Sequence, residues 1–111
     1  MEILFGTRKL RKVFNEEREL LRAYGELAKK IKLRMNVLKN ANSLADIPCD
    51  PPDRCHELVA DRSGQFAVVL SGNYRLVFMP TENPPSFQEG GGIDKEKVDS
   101  ITIIEVVDYH G

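Results

Sequence analysis

The stretch His56-Glu57-Leu58-Val59-Ala60-Asp61-Arg62-Ser63-Gly64-Gln65-Phe66-Ala67-Val68-Val69-Leu70-Ser71-Gly72-Asn73-Tyr74-Arg75-Leu76-Val77-Phe78 decides the fold. Cys55 to Val59, Phe66 to Leu70 and Tyr74 to Phe78 are short runs rich in apolar residues, separated by Asp61-Arg62-Ser63-Gly64 and Ser71-Gly72-Asn73. Runs of this length and composition predict strands, and both connectors carry a glycine where a tight hairpin needs positive φ. The middle of the chain therefore reads as a three-stranded meander.

Downstream, Pro80 to Ser100 holds Pro84, Pro85 and the triplet Gly90-Gly91-Gly92 and shows no apolar period. It is expected to be an extended, flexible loop. Ile101 to Val107, rich in β-branched residues, predicts the last strand and runs into Asp108-Tyr109-His110-Gly111.

Upstream, Glu2 to Phe5 reads as a first strand that ends at Gly6-Thr7, with Thr7 as a helix cap. Leu10, Val13 and Phe14 follow at helical spacing, and Asn15 is a second cap or a break, with Glu16 and Glu17 suited to a helix start. Leu20, Leu21 and Tyr24 continue the apolar face to Gly25, where the helix ends or kinks. From Glu26 the stripe Leu27, Ile31, Met35, Leu38 marks an amphipathic helix lying on a sheet, with basic residues over much of its other face. Ser43 to Ile47 predicts a short helical turn, and Pro48, Pro51 and Pro52 forbid regular structure beyond it. The expected architecture is a single α+β domain over residues 1–111. It has an N-terminal strand and two helices packed on a mainly antiparallel twisted sheet.

At 111 residues one domain fits and two do not. No apolar run approaches the ~20 residues that span a bilayer, and Met1-Glu2-Ile3-Leu4-Phe5 is too short and too acidic for a secretory signal. Cys49 and Cys55 sit in a Pro- and Asp-rich stretch and are expected as reduced thiols in the cytoplasm. The net charge of −1 hides an asymmetry: residues 1–40 are near +6 and residues 81–111 near −5. A basic helical half can face a polyanion such as RNA, or it can simply be a solvated helix face.

The chain has two histidines, His56 in a predicted strand and His110 after the last one. Should the meander bring them to one end or face of the sheet, Asp108, Tyr109, Arg62 and Arg75 are candidates to join them. Such a set can cleave RNA without metal. One imidazole takes the 2′-hydroxyl proton, a second group protonates the departing 5′-oxygen, and arginine offsets charge on the transition state. Tyr109 could stack on a base or donate to phosphate, and Asp108 could orient a histidine. The alternative is a satisfied strand histidine and a solvated chain end. Cys49, Cys55, His56 and His110 lack the spacing of a zinc site, and Gly90-Gly91-Gly92 lacks the Lys-Ser/Thr of a phosphate loop. No metal and no cofactor is expected.

The run from His56 to Phe66 resembles the "H-x-L-x-x-D-R-x-G" segment of HigB-type toxins. Leu70 to Phe78 is similar to their "S-G-N-x-R-h-x-F" hairpin (h apolar), and Val107 to His110 to their "D-Y-H" terminus. Over roughly half its length the chain thus resembles the RelE/ParE superfamily of type II toxin–antitoxin systems. Within it, the likeness is to the HigB branch, also called plasmid maintenance killer protein, and to a subgroup labelled "killer suppression protein". The helical half matches in pattern only. The chain departs from these toxins in being near neutral and in the length of its Pro80 to Ser100 loop.

The resemblance implies a ribosome-dependent endoribonuclease that cuts mRNA in the A site and inhibits translation. It implies neutralisation by a helix-turn-helix antitoxin, with operator DNA bound only through that complex, and no membrane partner. By position it makes His56, Asp108, Tyr109 and His110 catalytic and Arg62 and Arg75 phosphate-binding. The alternatives are a non-enzymatic ParE-like toxin acting on DNA gyrase and a catalytically weakened family member.

Overall fold

In the computed structural model, which describes residues 1–109, strand β1 (Glu2–Phe5) gives way at Gly6 to helix α1 (Arg8–Asn15). Thr7 is the N-cap: its hydroxyl accepts from the Leu10 amide at 3.1 Å, satisfying a donor that a helix start leaves orphaned. Glu16 is extended (φ −114°), so the helix stops and restarts as α2 (Glu17–Tyr24), with Glu17 and Glu19 at its positive end. Gly25, at φ 55°, ends α2 and turns the chain into α3 (Leu27–Asn40). The helical half therefore holds three helices rather than two, because the break at Glu16 is a true helix terminus.

Four more strands follow: β2 (His56–Glu57), β3 (Phe66–Ser71), β4 (Tyr74–Pro80) and β5 (Ser100–Asp108). The sheet order is β1-β5-β4-β3-β2, with only the β1–β5 pair parallel. The intervening helices carry the chain back over the sheet, as a parallel pairing requires. On the helix side, Phe66, Val68, Leu70, Leu76, Phe78, Ile101 and Ile103 pack against Ile31, Met35, Leu38 and Leu44. The other face carries a smaller cluster of Leu58, Ala67 and Val77.

The meander is tighter than its sequence predicts. β2 covers two residues instead of the expected Cys55 to Val59. One further bond, Leu58 N–H to Gln65 O at 2.8 Å, extends the ladder before Ala60, at φ 58°, turns the chain away. Gly64 (φ 90°) and Gly72 (φ 56°) do occupy the predicted turn positions. The loop between β4 and β5 has a shape of its own. Phe87 and Ile93 form a β-bridge, and Val98 is buried, with its carbonyl accepting from the Leu44 amide at 2.9 Å. No helix among the described residues is long and apolar enough to cross a membrane.

One residue of the basic stripe is not on the surface. Arg34 is 6% exposed, and so is Asp53. The Arg34 Nε donates to Val69 O at 2.6 Å and lies 3.7 Å from Asp53 Oδ1, while the Val69 amide donates to Asp53 O at 2.8 Å. The arginine thus ties α3, the segment before β2 and the irregular end of β3 together. We expect Arg34→Ala to lower stability by about 3–5 kcal/mol, because it strands the Asp53 carboxylate in the interior. Urea unfolding measures this. A double variant with apolar side chains at both positions should recover most of the loss; a loss in the single variant below about 1 kcal/mol, the range of exposed pairs, refutes the tie.

Candidate active site

Four strands align one row of residues across the face opposite the helices: His56 pairs with Ala67, Ala67 with Val77, and Val77 with Glu105. Paired residues project on the same side of a sheet. Ala67 and Val77 belong to the apolar floor with Leu58, so His56 and Glu105 stand at its two sides. A bulge puts Glu105 there. Phe78 pairs with Ile103 but Val77 pairs with Glu105, leaving Ile104 as the extra residue.

His56 is exposed, and its Nδ1 lies 2.9 Å from Arg54 O. A carbonyl can only accept, so Nδ1 carries a proton, and Nε2 has no hydrogen-bond partner among the described residues. The carbonyl is aimed by an unusual backbone: Arg54 sits at φ 48°, and Ala60, on the far side of the strand, at φ 58°. Two left-handed non-glycine residues therefore bracket Cys55 to Val59. Each is a conformation of order 1–3 kcal/mol above the usual ones, held by its surroundings.

Arg62 reaches across the same face. It donates to Gln65 Oε1 at 2.9 Å and to Glu105 Oε1 at 2.5 Å. Arg75 occupies the next row, between Val69 and Val107, but its guanidinium folds back onto the carbonyls of Gly72 (2.7 Å) and Tyr74 (3.1 Å). Asp108 pairs with Tyr74 and so has the opposite parity to Arg75 and Val107. Tyr109 is fixed by its amide on Asn73 O at 2.9 Å and packs against the Leu58-Ala67-Val77 floor. His110 lies outside the described residues. The candidates are thus not gathered at one point: His56 stands at the β2 side of the floor, the Arg62 guanidinium meets Glu105 at its β5 side, Arg75 and Tyr109 lie at the hairpin end, and Asp108 has the opposite parity. The Tyr109 side chain reaches from the hairpin end onto the floor that His56 flanks.

Glu105 and Gln65 were not singled out from the sequence. Glu105 carried a signal, as a lone carboxylate inside an apolar β-branched run, but its side of the sheet depends on the bulge. Among the described residues no cluster of three potential metal ligands occurs. Next to His56, Cys55 is buried and its thiol is pushed up to about 12 by that burial, whereas Cys49 is exposed. Cys55 thus acts as a small apolar group in the core.

Two outcomes follow from this geometry. Ala60→Gly should raise stability by up to about 1 kcal/mol, since glycine adopts positive φ without the Cβ clash; a lower melting temperature would show that Ala60 is not strained. The Cys55 thiol has a folded pKa above its unfolded one, so its contribution is complete below pH ~9 and lost as pH rises toward 12. Across that window the wild type should lose about 1.4 kcal/mol per pH unit more than Cys55→Ala in denaturant titrations. Parallel slopes would refute the burial argument.

Comparison with protein-family models gives no match, and comparison with curated protein sequences gives none either. Solved structures do match. A YoeB/ParE toxin from Agrobacterium tumefaciens superimposes with a TM-score of 0.53 at 13% identity, over 100% of both chains. The YoeB dimer from Staphylococcus aureus gives 0.55 at 14% identity, over 100% of this chain and 98% of that one. Three helices on a five-stranded mixed sheet are thus an architecture this chain shares with YoeB/ParE toxins.

Proposed function

We propose that the chain is the toxin of a toxin–antitoxin pair, of the HigB-like kind, and that it cleaves mRNA on the ribosome without a metal. The observation that carries this reading is His56: exposed, with Nδ1 on Arg54 O and Nε2 without a partner among the described residues, beside an apolar floor shared with Tyr109. The fold shared with YoeB/ParE toxins and the three sequence motifs support it from separate directions.

In this mechanism His56 Nε2 accepts the proton of a 2′-hydroxyl, and the 2′-oxygen attacks the adjacent phosphorus. The P–O5′ bond breaks, and the 5′-oxygen leaves with a proton from His110. Tyr109 offers a ring for a base to stack on. Arg75 and Arg62 neutralise charge on the pentacoordinate phosphorus once their guanidinium groups turn from their present partners. Asp108 keeps His110 oriented. A helix-turn-helix antitoxin silences the toxin, and its complex binds operator DNA.

The Arg62–Glu105 ion pair favours a second reading, a member with weakened RNA affinity, because the carboxylate already holds the cation that a phosphate needs. The two readings differ in sign on one variant. Glu105→Gln should increase RNA affinity about two- to fivefold if the pair competes with phosphate, and should decrease cleavage if Glu105 instead aims Arg62 at its target.

His56→Ala and His110→Ala should each cut ribosome-dependent mRNA cleavage by about 10²- to 10⁴-fold. Melting temperature should hardly change in His56→Ala, because the residue is exposed. Cleavage rates and melting curves measured on the same preparations decide this. Undiminished growth arrest by both variants would leave only a protein-binding toxin, for which DNA gyrase supercoiling is the assay.

A further inference from the structure

Two thiols meet where the chain enters β2, and we propose that Cys49 and Cys55 form an oxidation site: a hydroperoxide joins them in a disulfide, which turns the His56 ring from its present setting. They are the two cysteines of the protein. Cys49 is exposed, whereas Cys55 is 4% exposed. The Pro48 carbonyl accepts from the Cys55 amide at 3.0 Å, and the Asp50 carbonyl accepts from the Arg54 amide at 3.0 Å. These bonds fold the segment back on itself and stand Cys49, which lies between the two carbonyls, beside Cys55. Segments bonded through their backbones run about 5 Å apart, and a disulfide spans Cα separations of roughly 4.4–6.8 Å. Cys49 is also close enough for charge on its sulfur to oppose ionisation at Cys55. Residues 47–55 lie between the helical turn Leu44–Asp46 and β2, so Cys49 can close over Cys55 without breaking a ladder.

Exposure gives each thiol its part. Cys49 is open to a peroxide, while burial keeps Cys55 protonated. The Cys49 sulfur attacks one peroxide oxygen and the O–O bond breaks. The other oxygen leaves as water with the thiol proton, and Cys49 becomes a sulfenic acid. The Cys55 sulfur then attacks the Cys49 sulfur and the S–O bond breaks. The hydroxyl leaves with the Cys55 proton as a second water. Two thiols are oxidised and one peroxide is reduced. Proximity within so short a loop offsets the scarcity of Cys55 thiolate. The consequence falls on His56, whose Nδ1 donates to Arg54 O at 2.9 Å across Cys55. A bond that draws Cys55 toward Cys49 acts at the centre of this tether. Upstream, Asp53 is held by the Val69 amide on its carbonyl and by Arg34. Arg54 and His56 therefore take up the movement.

Hydrogen peroxide is the probe, added to the full, reduced chain. Trypsin cuts after Arg54, so without reductant the disulfide should join the peptides Asn40 to Arg54 and Cys55 to Arg62. Their joint mass should fall two hydrogens below the sum. The same sample should lose the Nδ1-protonated His56 signal in long-range proton–nitrogen spectra, with His56→Ala as the assignment control. Dithiothreitol should restore the signal, which sets the disulfide apart from methionine sulfoxide. Cys49→Ser should keep the wild-type melting temperature, because the residue is exposed, and its His56 signal should withstand peroxide. Neither readout needs cleavage, so the inference goes beyond the ribonuclease reading and can fail apart from it. Absence of the linked peptides after peroxide treatment overturns it, as does a dimer joined through Cys49 in their place. A disulfide that leaves the His56 signal unmoved, or a Cys49→Ser signal lost as readily as that of the wild type, overturns it as well.

Discussion

The contact on which the His56 face depends is buried on the other side of the sheet. Arg34 projects from α3 onto Val69 O and stands beside the Asp53 carboxylate, while Asp53 O receives the Val69 amide. Through these bonds a helix position decides where the chain stands just before β2. The next residue, Arg54, is held at φ 48°, and its carbonyl fixes the His56 ring. In the series from Arg34 to His56 Nδ1, Arg34 and Asp53 are buried and Val69 is half-buried, whereas Arg54 and His56 are exposed. A buried ion pair contributes little net stability, because desolvation offsets most of the attraction. Asp53 Oδ1 is buried without a hydrogen bond among the described residues, in keeping with that view. What the pair supplies is a definite geometry for a segment that Pro48, Pro51 and Pro52 keep out of any regular element.

β5 is the second organiser. It lies between β1 and β4, parallel to one and antiparallel to the other, and its bulge at Ile104 shifts the side-chain alternation midway. Before the bulge Ile101 and Ile103 enter the helix-side core; after it Val106 faces that core while Glu105 and Val107 take the open face. Without the extra residue, every side chain from Glu105 onward would change sides. Tyr109 would then leave the apolar floor. One inserted residue thus decides both which carboxylate meets Arg62 and which aromatic ring lies on the Leu58-Ala67-Val77 floor.

What was legible in the sequence was local. Thr7 at a helix start, glycine at Gly64 and Gly72, the Ile31-Met35-Leu38 stripe and the β-branched last strand each carry their signal within a few residues. What was not legible depends on distant partners or on conformations that the residue type does not announce. Alanine gives no hint of φ 58°, so β2 looked longer than it is. Arg34 looked like its solvated neighbours, since only the position of Asp53 makes it a buried partner. The parallel pairing of β1 with β5 joins residues about a hundred positions apart and has no local sign. Glu105 fell between these cases, visible as an odd residue but with its direction hidden by the bulge.

The charge distribution gains a physical reading once the strands are in place. The acidic C-terminal segment looks ill suited to an RNA-facing protein, since it would repel a phosphate backbone. Yet the loop that carries Glu82, Glu89, Asp94, Glu96 and Asp99 leaves from Pro80 and returns at Ser100. This is the far end of β4 from Tyr74, whereas Tyr109 is tied to Asn73 at the near end. Along β4 the two ends stand about 20 Å apart. The screening length at physiological salt is about 8 Å, so carboxylates anchored at the loop end act weakly at the hairpin end. Glu105 is different. It lies on the floor itself, in the row of His56, and holds Arg62 at 2.5 Å, inside the range where neither salt nor distance screens it. The electrostatics of the candidate site therefore turn on this one carboxylate and the arginine it engages, and the overall charge of −1 says little about how the face meets a polyanion.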